Sequence, residues 1–104
     1  MKMIHVSVII PMYNAKEHIR ETLNSLVVQT YNLFEVIVVN DGSTDKSVEI
    51  VNTFKSKLNI NLISIPNKGA ANARKLGIQT AKSDYIFFLD SDDLVPKNAI
   101  NALY

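Results

Sequence analysis

Asp90, Ser91, Asp92 and Asp93 follow directly on the apolar run Tyr85 to Leu89. Three carboxylates in four positions repel one another, and the usual relief is a bound cation. An Asp-x-Asp at a strand end points to a hard, oxygen-preferring ion such as Mg²⁺ or Mn²⁺. Such ions usually bring phosphate oxygens as further ligands. In an extended segment Asp90 and Asp92 point the same way, so both can face one ion or one ion-bridged diphosphate. That geometry turns Asp93 elsewhere, as an outer partner or a helix cap. The competing reading is a turn whose aspartates cap a helix near Pro96.

Other polar residues punctuate the chain at similar places. Asp41 follows an apolar stretch and precedes Gly42; it can accept from a base or ribose, or be an ordinary Asp-Gly turn. Tyr13 can stack on a base or be a half-buried core tyrosine, and Pro11 shapes the turn before it. Arg74, one turn beyond Gly69-Ala70, can reach a diphosphate or lock a site carboxylate; its alternative is a solvated surface position. Lys68 is a weaker phosphate candidate. His5 and His18 have no metal-ligand partner at helical spacing and read as structural or surface residues.

The elements that must position these groups alternate. Val6–Ile10, Phe34–Val39, Ile60–Ile65 and Tyr85–Leu89 read as strands. Ala15 to Val28 reads as a helix with Ala15, Ile19, Leu23, Leu26 and Val27 on one face. Ser43 can cap a second helix, whose first turn Asp45 favours and which repeats Val48, Val51, Phe54 and Leu58. A third helix follows the turn Pro66 to Gly69, with small residues Ala70, Ala73, Gly77 and Ala81 on one face, which would let it lie close to a sheet. Pro96 can open one more helix. This alternation predicts an α/β domain of three layers, a mainly parallel sheet flanked by helices with right-handed crossovers. In such sheets ligands bind outside the carboxyl ends of the strands, and all four polar clusters belong on that rim.

Composition narrows the partners. The 104 residues suffice for one small domain, 47% of them hydrophobic and 20% charged. Net charge is +1 and no basic cluster stands out, so no nucleic-acid or membrane-surface partner is implied. Without cysteine there is neither a disulfide framework nor a thiolate metal site. The apolar stretch Met3 to Met12 is too short to span a bilayer.

Taken together these residues resemble the nucleotide-binding half of glycosyltransferase family 2, with the GT-A fold. The matching pieces are Val8 to Asn14, Ser25 to Thr30, Glu35 to Asp45, Asn67-Lys68-Gly69 with Ala73-Arg74, and Tyr85 to Asp93. They cover nearly the whole chain in the family's order. The resemblance implies strand order 3-2-1-4, a nucleotide-sugar donor, usually of UDP, and Mn²⁺ or Mg²⁺. By position, Asp41 would recognise the base, Pro11 and Tyr13 would line the nucleoside pocket, and Arg74 would contact the nucleotide. Gly69 and Ser91 would join the donor site. Asp90 would approach the ribose and share the metal with Asp92, which would ligate it on the diphosphate. Transfer would invert the anomeric carbon, with a carboxylate as general base for the acceptor hydroxyl. Asn40 stands where many members have Asp, and Lys75 where many have Asn.

In the family the acceptor-binding half and the general base lie beyond the metal motif, whereas this sequence ends at Tyr104. Residues 1–104 are therefore expected to be one donor-binding domain, the N-terminal part of a longer enzyme. The chain alone would hold no catalytic base and would not turn over. The last strand would lack its outer neighbour, an exposed edge that favours self-association. A cytoplasmic or inner-face peripheral location follows from where nucleotide sugars are made.

Other readings fit less well. A nucleotidyltransferase would carry a Gly-rich basic loop where Pro11-Met12-Tyr13-Asn14 stands, and a dinucleotide-binding domain would carry G-x-G-x-x-G. A response-regulator-like domain would need an acidic pair after the first strand. A catalytically silent nucleotide-sugar-binding module remains the non-enzymatic alternative.

Overall fold

The computed structural model describes residues 4–100. Four strands, β1 (Val6–Met12), β2 (Phe34–Asp41), β3 (Ile60–Ile65) and β4 (Ile86–Phe88), alternate with α1 (Ile19–Val27), α2 (Ser47–Asn52) and α3 (Ala70–Thr80). The strands form one parallel sheet in the order β3-β2-β1-β4. This is the expected architecture and strand order.

β1 and β2 are buried on both faces, which is why they read as unbroken apolar runs. Val6, Val8, Ile10 and Met12 share one core with Ile19, Leu23 and Leu26 of α1 and with Val51 of α2. Ile9, Ile37 and Val39 face α3 through Ala73. Of the small residues expected to face the sheet, Ala73 and Gly77 are buried as expected, whereas Ala70 is exposed and lines the pocket and Ala81 lies just past the helix, partly buried. A Cβ on Gly77 would lie 2.5 Å from Ile9 Cγ2, so only glycine lets the helix sit this close to β1.

Pro11 lies inside β1 without breaking it. Ser7 N–H donates to the Tyr85 carbonyl and the Ile9 carbonyl accepts from Leu89 N–H, so odd-numbered residues of β1 face β4. The missing N–H of Pro11 therefore points past the end of β4, where no ladder bond is required.

Several boundaries differ from the sequence reading. Residues 16–18 form a turn, and α1 begins at Ile19. The Ala15 and Lys16 amides are held by Ser47 and Asp45 instead. Val27 is exposed rather than part of the buried face. Ser43 does not cap α2, because its hydroxyl accepts the Asn14 amide; Asp45 takes the Ser47 amide at 2.9 Å. α2 ends at Asn52 and continues in turns that still bury Phe54. β4 shortens to three residues. Helical conformation resumes at residues 99–100; the rest of the helix expected after Pro96 lies outside the described residues.

At the amino end of the sheet Glu35 is buried between segments distant in sequence. It accepts from Ser7 Oγ at 2.6 Å and from the Lys82 amide at 2.7 Å, and Ser7 Oγ accepts the Ser83 amide at 3.2 Å. These bonds satisfy a buried carboxylate and fix the entry into β4.

Candidate functional site

The carboxyl ends of the strands open into a pocket of about 350 Å³. Pro11, Tyr13, Asp41, Arg74, Asp90, Ser91 and Asp92, seven of the residues expected there, line it together. Gly69 does not line it, but its amide donates to Asp41 Oδ2 at 2.8 Å. The Lys68 amide donates to Asp41 Oδ1, also at 2.8 Å. Asp41 thus clamps the start of α3 to the end of β2 and retains lone pairs toward the pocket. Gly69 has φ +98° and ψ 160°, a conformation open essentially to glycine alone.

Arg74, one turn into α3, approaches Asp90 Oδ1 at 3.9 Å. Both side chains are substantially exposed, so this ion pair is weak and can yield to a bound anion.

The acidic run is a turn, not an extended segment: Asp93 N–H donates to the Asp90 carbonyl at 3.0 Å. The turn corrects the expected separation of Asp93. Carboxylate oxygens of Asp90, Asp92 and Asp93 all lie within 4.8 Å of one another. Three exposed hard oxygen donors at that spacing suit Mg²⁺ or Mn²⁺, although Asp93 itself lies outside the pocket lining.

Two features of the site were not anticipated. His18, read as a structural or surface residue, is exposed and also lines the pocket; its position just ahead of α1 was visible, but nothing in its spacing tied it to Asp90. The loops after β1 and β2 are also stitched together. Asn14, with φ 47°, accepts the Thr44 amide on Oδ1 at 2.8 Å, and buried Ser47 accepts the Ala15 amide at 2.8 Å while donating to Asp45 Oδ1. Burial alone would raise the Asp45 carboxyl. The bonds from Ser47, the Lys16 amide and the Lys16 charge outweigh that and hold it below its ordinary value. Asn40 is explained as well: its amide donates to Ser64 Oγ at 3.2 Å and accepts the Ser43 amide at 3.0 Å, a double role that a carboxylate lacks.

Known proteins resemble this chain in sequence and fold. The chain is 43% identical over 101 residues to the glycosyltransferase GlyG of Streptococcus pneumoniae, covering 95% of this chain and 34% of GlyG. It superposes on S. aureus TarS in complex with UDP-GlcNAc with TM-score 0.93 at 36% identity, over 95% of this chain and 30% of that one. A mannosyltransferase from Pyrobaculum calidifontis, in complex with GDP-Man and Mn²⁺, matches with TM-score 0.83 at 29% identity, over 90% and 29%. The chain spans about a third of these proteins' length. The family model described as glycosyl transferase family 2 matches residues 7–104, and with the β3-β2-β1-β4 sheet of the GT-A glycosyltransferases the chain belongs to that enzyme family.

Proposed function

We propose that this chain binds the nucleotide-sugar donor of an inverting, metal-assisted sugar transfer, with a UDP-sugar as donor. The observation that carries this reading is the convergence of Pro11, Tyr13, Asp41, Arg74, Asp90 and Asp92 on one pocket. Tyr13, half exposed, offers a ring face to the base. Asp41 offers a fixed carboxylate to a base N–H, and Arg74 a guanidinium to phosphate oxygens. The UDP-GlcNAc complex of TarS supports uridine over other bases.

Charge balance supports a cation. Asp41, Asp90 and Asp92 line the pocket, whereas only Arg74 and His18 among the lining residues can carry positive charge. A diphosphate entering such a site meets net repulsion unless a divalent ion joins it. Asp92 and Asp90 would hold that ion, which when bound would neutralise charge on the leaving nucleoside diphosphate. The general base for the acceptor belongs to no residue of this chain in this reading, so residues 1–104 serve donor binding alone. The acceptor is a glycan or lipid-linked hydroxyl, as in polysaccharide biosynthesis. The location is cytoplasmic or peripheral at the inner membrane face. Among the described residues no helix is long and apolar enough to cross a membrane. The open edge of β4, with Phe88 exposed, is proposed to promote self-association, which light scattering would detect.

Calorimetric titration with UDP, with and without Mn²⁺, tests the reading, with GDP for comparison. Mn²⁺-dependent UDP binding that Asp92→Ala abolishes is the expected result. Absence of binding by the folded protein would sink it, and Mn²⁺-dependent preference for GDP would reassign the base.

A further inference from the structure

Thr22, Ser25 and Gln29 recur at i, i+3 and i+7, one stripe along α1 and just past its end. All three reach the backbone that follows β4. Thr22 Oγ1 donates to the Ser91 carbonyl at 2.9 Å. Ser25 Oγ accepts the Val95 amide at 3.1 Å. Gln29 Nε2 donates to the Pro96 carbonyl at 2.8 Å, and its Oε1 accepts the Ile100 amide at 3.3 Å. Segment 91–100 belongs to no strand, so these side chains supply partners that a sheet ladder would otherwise give.

Only the Thr22 bond lands inside the acidic run, between Asp90 and Asp92. β4 pairs with β1 over three residues, so the sheet holds this turn weakly. Repulsion among three exposed carboxylates favours its opening. Thr22 is wholly buried, so its hydroxyl is fixed and is not shared with solvent.

We propose that Thr22 is a positioning residue for the donor site: through the Ser91 carbonyl it holds Asp90 and Asp92 where one divalent cation can be shared. This inference rests on the metal-assisted reading above. Thr22→Val keeps the branched shape and removes the hydroxyl. The expected result is a roughly tenfold loss of Mn²⁺ affinity, followed by electron paramagnetic resonance, the scale of one lost hydrogen bond. Thr22→Ser restores it. Ser25→Ala, which loses its bonds to the Val95 amide and the Thr22 carbonyl, both outside the acidic run, leaves it within about twofold.

Unchanged Mn²⁺ affinity in folded Thr22→Val, with Mn²⁺ bound by the parent, overturns the inference alone. Equal losses in Thr22→Val and Ser25→Ala also overturn it, as general loosening. A parent that binds no Mn²⁺ overturns the metal-assisted reading together with it.

Discussion

Both oxygens of Asp41 accept a backbone amide, from Lys68 and Gly69, at 2.8 Å in a buried setting. Asn at this position would keep one acceptor and turn an NH₂ group toward a second donor. Asp41→Asn should therefore destabilise the protein by about 2–3 kcal/mol, measured by urea unfolding, as expected for a lost charge-assisted bond and an unpaired buried donor. An unchanged midpoint would show that the loop after β3 finds other partners. The carboxylate was legible in the sequence as a polar residue closing an apolar run. Its amide partners, 27 and 28 residues away, were not. The same limit hid Thr22, Gln29 and Glu35. Thr22 and Glu35 sit within a helical and a strand pattern and Gln29 just past a helix end, and each has partners dozens of residues away in the chain, which periodicity does not encode. His18 was hidden for a different reason: a lone histidine with no ligand spacing carries no signal until the fold brings Asp90 and Asp92 to the same pocket.

Elements were legible wherever burial is one- or two-sided and continuous. All four strands stand where alternation and apolar runs put them, and the small-residue face of α3 foretold its close approach. Gly77→Ala should lower stability by about 1–2 kcal/mol despite a better helix propensity, because overpacking against Ile9 exceeds the propensity gain. A more stable variant would mean that α3 slides without cost. Helix ends were misread where loop side chains compete for the amides, as Ser47 and Asp45 do for Ala15 and Lys16. That stitch is sensitive to acid. The Asp45 carboxyl lies below its ordinary value of 3.8, so the unfolded chain takes up the proton first. Its contribution is complete above pH 3.8 and is lost as pH falls through the lower folded value. Parent and Asp45→Asn should differ in urea midpoint at neutral pH and converge only below the lowered folded value of Asp45; a constant gap would remove Asp45 as the titrating group.

Over the whole molecule the two ends of the sheet have different tasks. The carboxyl rim gathers exposed, mutually repelling groups for a ligand, while the amino end is closed by the buried Ser7–Glu35–Lys82 contacts. Those residues are separated by 28 and 47 positions. The full Ser7–Glu35–Lys82 contact is complete only after the segment leading into β4 has joined the β1–β2 pair, once most of the loop-closure entropy has been lost. Such interactions are absent from an early transition state, so removing them changes the escape from the native state rather than the route into it. Glu35→Ala should leave the refolding limb of a chevron in place and raise the unfolding limb; a slowed refolding limb would instead put Glu35 in the nucleus. Glu35 touches nothing in the pocket, yet on this view it sets the lifetime of the assembled site, as a latch that governs how long the protein stays folded and not how fast it gets there.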